Sequence, residues 1–325
     1  MSARVVRWAG VAIALVVLVV LSVMLGAVHL PPGDALRALL GAGSPSTVTI
    51  VRVLRLPRVV MAILLGAGLG MSGASLQGVM RNPLAEPYLL GVSGGAAVGA
   101  VIAVSVGLAS ALVPLAAFAG AVVAVVVAFA VAHAAPGRGD PRVLLMAGVI
   151  VGAFANAAIM LALANADANT VRGALWWMMG SVADARWAQV AWLALYTVLG
   201  GALLVAWARE IDILALGDDA AAALGLDTAH AARRIYVVAS LLAAATVAAA
   251  GLVGFVGLVV PHIARRLGTA AHRGVIAGSA LVGATLVVAA DLAARTARPP
   301  AELPLGAVTA LIGVPFFLVQ LRRMR

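Results

Sequence analysis

Residues 8–28 read WAGVAIALVVLVVLSVMLGAV, a run without one charged side chain. A helix that spans a bilayer needs about 20 consecutive apolar residues, so this run is long enough to cross a membrane. Arg4 and Arg7 precede it, which is also the charge order of a secretory signal peptide. The apolar core of a signal peptide is only about 7–15 residues long, and no A-x-A cleavage site follows before Pro31. We therefore expect a membrane span here.

The rest of the chain repeats this pattern. The apolar runs are 8–28, 59–80, 88–108, 112–132, 143–166, 187–208, 235–250, 252–263, 275–290 and 304–320. The chain is 64% hydrophobic and 10% charged, whereas soluble domains are about 25% charged. The eighth run is short and glycine-rich, so its crossing is open. The sequence predicts an all-α integral membrane protein with about ten transmembrane helices in a single domain, residues 1–325.

Arginine placement indicates the orientation, because cytoplasmic loops of membrane proteins carry the excess of basic residues. With ten crossings and both termini in the cytoplasm, about 14 arginines lie inside and about 8 outside. If the eighth run does not cross, about 10 lie inside and about 12 outside. Ten crossings with cytoplasmic termini fit better. The formal net charge of +10 is then a topology signal, and no nucleic-acid partner is expected.

Several chemistries are absent from the sequence. The chain has no lysine, so it has no G-x-x-x-x-G-K-[ST] loop with which to hold ATP. It has no cysteine and no H-E-x-x-H pair, so a thiolate site and a zinc hydrolase are not expected. We predict no catalytic residue, no metal ligand and no cofactor bound by this chain. The polar residues within the spans are scattered, which also disfavours a membrane-embedded enzyme.

The middle of each predicted span lacks Asp, Glu, Arg and His. Proton- and sodium-coupled carriers use such residues, so an importer of this composition needs an outside energy source. Sodium sites can also be built from backbone carbonyls of broken helices. An ion-coupled secondary transporter therefore stays open as the alternative function.

Two further segments stand out. The run GAGLGMSGASLQG (66–78) has the glycine spacing of closely packed helices, and its polar side chains also fit a solute pathway. Both interpretations are open from the sequence. The longest polar segment, 209–234, predicts one or two short helices broken at Gly217 and Gly225.

Several strings resemble one family of membrane permeases, those that import ferric siderophores, haem and cobalamin. They are RLPR (55–58), QGVMRNPLAEPYLLGVSGG (77–95), LLMAGVIVGAF (144–154), LWWMMGSV (175–182), GFVGLVVPHIARRL (254–267) and AELPLGAVTALIGVPFF (301–317). Each string alone is short, but together they run in the family's order over nearly the whole chain.

The resemblance implies the type II fold of ATP-binding-cassette (ABC) importer permeases, in the bacterial inner membrane. It implies a dimer in membrane lipid with a solute path on the dimer axis. A homodimer of two permease copies is expected, and a dimer of two related permeases stays open. Two ABC ATPase subunits, which hold ATP and Mg²⁺, bind on the cytoplasmic side. A periplasmic or lipid-anchored binding protein delivers the cargo, of which ferric siderophores are the commonest in the family. Transport by alternating access is expected.

The same resemblance implies roles for particular residues. The segment 209–234 is similar to the family's ATPase-coupling helices through Asp218, Asp219, Ala220, Ala221, Leu224 and Gly225. Arg55, Arg58 and Arg295 match positions that pair with carboxylates of the binding protein, and Arg52 and Arg298 lie nearby. Asn82 and Leu84 match the cytoplasmic gate. RTARPP (295–300) departs from the family pattern through Arg298, Pro299 and Pro300. An ordinary solvated loop and lipid-headgroup contacts are the competing interpretations of the coupling segment and the arginines.

Overall fold

The computed structural model describes residues 3–136, 140–299 and 301–322, and these residues form helices and turns without a strand. The helices are α1 Ala3–Met24, α2 Pro32–Leu39, α3 Pro45–Thr49, α4 Leu56–Val79, α5 Val92–Ser105, α6 Val113–Ala134, α7 Pro141–Ala164, α8 Ala168–Met178, α9 Trp187–Ala206, α10 Ala208–Leu214, α11 Asp218–Ala223, α12 Thr228–Ala250, α13 Val256–Arg266, α14 His272–Thr296 and α15 Leu305–Arg322. A π-helical turn, Ile50–Arg55, joins α3 to α4, and a 3₁₀ turn, Pro87–Leu90, precedes α5.

Each predicted span coincides with one of these helices, and the all-α membrane fold class is confirmed. Within the described residues, 7 helical stretches are long and apolar enough to cross a membrane. They are α1, the continuous stretch Pro45–Val79, α6, α7, α9, α12 and α14. The apolar helices α5 and α15 are shorter. At the eighth predicted span, α13 has 11 residues, so it rises about 17 Å, roughly half of a bilayer's hydrocarbon core.

The central helix is α4, which packs against α14, α12, α13 and α9. Lipid chains are as apolar as leucine, so helices in a membrane associate through close packing and not through the hydrophobic effect. Glycine supplies that closeness here. A Cβ built on Gly66 would lie 2.1 Å from the carbonyl oxygen of Gly283, and one on Gly70 would lie 2.3 Å from that of Ser279. The backbones of α4 and α14 therefore touch.

The polar residues of the 66–78 run are buried inside the chain. Ser72 donates to the carbonyl of Ala239 at 2.7 Å, and Ser75 donates to the carbonyl of Met71 at 2.9 Å. The side-chain amide of Gln77 donates to the carbonyls of Gly257 and Leu258. These three side chains are at most 3% exposed, so the solute-pathway interpretation of this run is wrong. The packing interpretation is correct.

The two ends of the helical bundle carry different structures. At one end α10 and α11 fill the connection between α9 and α12, and we name it the α11 end. At the other end α2, α3 and the π-helical turn connect α1 to α4, and we name it the α2 end. The residues singled out in the sequence divide between these two ends.

Candidate functional site

The coupling segment forms two short helices, α10 and α11, and its breaks lie where the sequence predicts them. Gly217 has φ +106° and Gly225 has φ +82°, which is backbone that glycine adopts without strain. The amide of Leu226 donates to the carbonyl of Ala221, and that of Gly225 donates to the carbonyl of Ala222. This is the Schellman arrangement, which ends a helix sharply. α11 is therefore a short, well-delimited helix.

One face of α11 anchors it and the other is open. Ala221 is fully buried, while Asp219 and Ala220 are exposed. Leu224 is 63% exposed directly after the helix, and Leu216 is 65% exposed just before it. Exposed leucines on both sides of a rigid helix make a small apolar knob that a partner's cleft can cover.

An ion pair ties α11 to the end of α4. The guanidinium of Arg81 donates to the carboxylate of Asp218 at 3.2 Å. Both side chains are partly exposed, at 34% and 60%, so the pair adds little to stability, about 0–1 kcal/mol. The pair matters for geometry, because Arg81 lies at the start of the loop that contains both predicted gate residues. The pair therefore places α11 in direct contact with that loop.

The gate loop, residues 80–86, is held by hydrogen bonds at both ends. The amide of Asn82 donates to the carbonyl of Gln77, and the Asn82 side chain accepts from the amide of Leu84 at 2.9 Å. Leu84 is 40% exposed. The structure therefore brings Asn82 and Leu84 to the α11 end beside the coupling segment, and their action as a gate stays a prediction.

Contacts to α13 fix the far side of the gate loop. A ring nitrogen of His262 lies 3.1 Å from the carbonyl oxygen of Pro83. The Glu86 carboxylate accepts from the amide of Phe255 at 3.1 Å, where the backbone has a left-handed φ of 67°. Burial raises the pKa of Glu86 above its usual value, and the hydrogen bond from Phe255 offsets only part of that rise. The loop is thus clamped between α4 and α13.

At the α2 end, Arg58 joins three elements. Its guanidinium donates to Asp291 of α14 at 2.8–3.1 Å. It also donates to both carboxylate oxygens of Glu302, before α15, at 2.8 and 2.9 Å. Paired guanidinium–carboxylate contacts of this kind fix orientation as well as charge. Arg58 is 8% exposed and Asp291 is 2% exposed, so this is a buried network.

Arg55 and Arg295 cap the end of α1. Arg55 donates to the carbonyls of Val23 and Met24 at 2.7 and 2.9 Å and also to that of Val28. Arg295 donates to the carbonyl of Ser22 at 2.7 Å. The last carbonyls of a helix have no partner within it, and cationic side chains are favourable there. Both arginines therefore hold the end of α1 in place.

All three arginines predicted to meet a binding protein thus lie together at one end, and each donates hydrogen bonds to partners inside the chain. Arg55, Arg58 and Arg295 are 6%, 8% and 5% exposed. The exposed arginines nearby are Arg52 and Arg298. The docking role of the buried three stays a prediction.

Only part of this buried network is predictable from the sequence. The spacing of Asp291 and Arg295, four residues apart on a helix, is a local signal for a pair. Nothing in the sequence linked Arg58 to Asp291 or Glu302, which are more than 230 residues away, or the arginines to the carbonyls of α1. Among the described residues, no group of three or more His, Asp or Glu side chains is placed to hold a metal ion.

The comparisons with known proteins agree in extent and in fold. Residues 14–323 match the FecCD transport family. The chain is 43% identical over 291 residues to the cobalamin import system permease protein BtuC of Halobacterium salinarum, covering 89% of this chain and 78% of that protein. It is 38% identical to the hemin transport system permease protein HmuU of Yersinia pestis, covering 84% and 83%.

A solved structure shares this architecture. It shows an inward-facing ABC transporter assigned to the metal-chelate type, with a TM-score of 0.88 and 28% sequence identity. The likeness covers 97% of this chain and 98% of that one. The family match, the relatives and the fold all extend over nearly the same residues, and the chain belongs to the FecCD transport family.

Proposed function

We propose that this chain is the membrane-spanning subunit of an ABC importer that carries a metal chelate across the cytoplasmic membrane by alternating access. The family match over residues 14–323 carries the proposal. ATP hydrolysis takes place in two separate ATPase subunits, because this chain lacks the lysine of a phosphate loop. ATP binding there supplies the free-energy difference between the inward- and outward-open states, which any population shift requires.

We assign the α11 end to the cytoplasm. Arg81, Arg142, Arg233 and Arg265 all lie at that end, as the rule for basic loops requires. Both termini are then cytoplasmic. The coupling surface is α11 with Leu216 and Leu224, and the Arg81–Asp218 pair transmits its motion to the gate loop.

We assign the α2 end to binding-protein docking. The buried arginines there form the support, and the exposed Arg52 and Arg298 supply the charge that meets carboxylates of the incoming protein. Charges at the rim of an interface speed the encounter of the two proteins and fix their relative orientation more than they add affinity. The buried network of Arg58 keeps the docking platform rigid.

We assign the dimer contact to a face that this chain leaves uncovered. Phe154 and Leu161 on α7 are each 76% exposed, and Leu311 on α15 is 75% exposed. In the proposed assembly a second copy of this chain packs there, and the solute path runs between the two copies.

The cargo class is an iron or cobalt chelate. The sequence resemblance places a ferric siderophore first, whereas the two relatives described above are named for cobalamin and hemin. These cargoes share a metal wrapped in a large organic ligand. A path between two copies, beside the exposed apolar side chains of α7 and α15, suits them all, and the binding protein then selects among them.

The experiment uses liposomes that contain this chain with its ATPase and binding protein. ATP hydrolysis is measured with the binding protein empty and then loaded with a ferric siderophore, haem or cobalamin. We expect stimulation by the docked binding protein and cargo uptake for one of the three. Uptake driven by an ion gradient without ATP would support a secondary carrier and contradict the proposal.

A matched pair of variants tests the coupling surface. Leu224→Arg places a charge on the apolar knob and should release the ATPase, with loss of stimulated hydrolysis. Leu40→Arg makes the same change at a residue that is 78% exposed at the α2 end, and it should retain the ATPase. Equal ATPase retention by the two variants would show that α11 is not the coupling element.

A further inference from the structure

A cavity of about 1740 Å³ opens at the α11 end between α4, α6, α7 and α12. It is larger than the pockets of about 300–1,000 Å³ that hold drug-sized ligands. Much of its lining is apolar, with Val122, Val126 and Phe129 from α6, Leu145 from α7 and Leu241 from α12. The cavity lies within one chain.

The mouth of the cavity is basic. Arg81, Arg142 and Arg233 line it together with Asp140 and Asp218. Asp218 is paired with Arg81, and Asp140 accepts from the backbone amide of Arg142 as the cap of α7. Within residues 3–136, 140–299 and 301–322, the guanidinium groups of Arg142 and Arg233 make neither a hydrogen bond nor an ion pair. Arg142 and Arg233 therefore border the cavity without an ion-pair partner, and the mouth carries three arginines against two carboxylates.

A buried hydroxyl lies on the same wall. Tyr236 lines the cavity and is 6% exposed. Its hydroxyl has no hydrogen-bond partner among the described residues. Leaving a buried hydroxyl without a partner costs free energy. A ligand oxygen that accepts from it removes this cost.

The cavity wall is continuous with the membrane-facing surface. Val126 lines the cavity and is itself 61% exposed, and Val123 and Val127 beside it are 61% and 43% exposed. An occupant with an apolar tail can enter sideways from the bilayer along α6. A soluble anion would leave the apolar wall uncovered.

We propose that this cavity binds one anionic phospholipid of the adjacent leaflet, with its phosphate between Arg142 and Arg233 and an acyl chain along α6 and α12. Basic pockets between transmembrane helices recognise anionic headgroups in this way. The Tyr236 hydroxyl donates to a glycerol or ester oxygen of the lipid. The proposal is independent of which cargo the protein carries.

Native mass spectrometry of the purified chain tests the site with phosphatidylglycerol and phosphatidylcholine of identical acyl chains. We expect phosphatidylglycerol to be retained preferentially. Each arginine near a membrane surface contributes roughly a fivefold gain in affinity. Arg142→Gln and Arg233→Gln should therefore each weaken retention about fivefold, and the double variant about 25-fold.

Arg209→Gln is the matched control, because Arg209 is an exposed arginine at the same end that does not line the cavity. It should retain phosphatidylglycerol as the unaltered chain does. Equal retention of the two lipids, or an equal loss in the control variant, would overturn the proposal. Displacement of the lipid by inorganic phosphate would overturn it as well and would indicate a site for a soluble anion.

A second measurement needs no substitution at the arginines. Phosphatidylglycerol with a photoreactive acyl chain is incorporated into vesicles containing the unaltered protein, and the cross-linked peptides are mapped. We expect labelling of 122–132 and 236–241, with competition by unlabelled phosphatidylglycerol and not by phosphatidylcholine. Labelling spread evenly over the exposed faces of α1 and α6 would contradict a defined site.

Discussion

Gly73 marks the closest approach of α4 to another backbone. A Cβ there would lie 2.0 Å from the carbonyl oxygen of Gly257, which is part of the backbone and cannot turn aside. We expect Gly73→Ala to destabilise the fold by about 1–3 kcal/mol through overpacking. The midpoint of thermal unfolding in detergent measures this change.

Gly10 provides the control for this substitution. It also lies within a span, and a Cβ there would meet nothing within 4 Å. Gly10→Ala should leave the midpoint unchanged or raise it slightly, because alanine favours a helix over glycine by about 0.5–1 kcal/mol. Equal losses in the two variants would mean that helix flexibility, and not backbone contact, explains these glycines.

Arg58 and its partly exposed partner Glu302 should differ in how much their substitution destabilises the fold. Asp291 is 2% exposed, whereas the Glu302 side chain is 40% exposed. Removing one partner of a buried ion pair costs about 3–5 kcal/mol, because the other charge stays buried alone. Arg58→Gln should cost that much, and Glu302→Gln about 0–1 kcal/mol, as for an exposed pair. If thermal unfolding shows that Arg58→Gln costs as little as Glu302→Gln, Asp291 is stabilised without Arg58.

At the scale of the element, α1 depends on caps from distant helices. It packs mainly against α14, and Arg55 binds the carbonyls at its end. Hydrogen bonds to a charged group contribute about 1.5–3 kcal/mol each. We expect Arg55→Gln to speed amide hydrogen exchange about 10- to 100-fold at Leu25 and Leu30, whose amides donate to carbonyls of α1, by releasing this end.

Arg52→Gln is the matched control for that experiment. Arg52 lies three residues earlier in the same π-helical turn, and its side chain is exposed. Its substitution should leave exchange at Leu25 and Leu30 unchanged. If Arg55→Gln also leaves it unchanged, packing alone holds α1.

The elements divide into those that the sequence predicts and those that it does not. Hydropathy locates the spans because length and apolarity are local properties, and Gly217 and Gly225 break the coupling segment for an equally local reason. The short helices α2, α3 and α8 were not predicted, because they are too short and too polar for a hydropathy signal. The contacts of Arg58 were also not predicted, since Asp291 and Glu302 come near it only in the folded chain.

At the scale of the whole molecule, the candidate functional residues divide between the α11 end and the α2 end. The sequence assigns coupling residues, gate residues and arginines separately. Only the fold shows that Asp218 reaches the gate loop through Arg81 at 3.2 Å, and that the arginines are buried support on the opposite end. Resemblance supplies the roles, and packing determines which side chains are free to act.

The orientation of the whole molecule can be tested directly, because the chain has no cysteine and an introduced one is therefore the only thiol. Ala222→Cys on α11 and Gly33→Cys on α2 replace exposed residues at opposite ends, and a Cβ on Gly33 meets nothing within 4 Å. If the arginine-rich α11 end is cytoplasmic, a membrane-impermeant maleimide labels Gly33→Cys in intact cells lacking an outer membrane barrier. Ala222→Cys is then labelled only after the membrane is broken. The reverse pattern would place α11 outside, away from any ATPase, and would exclude the coupling assignment whatever the cargo.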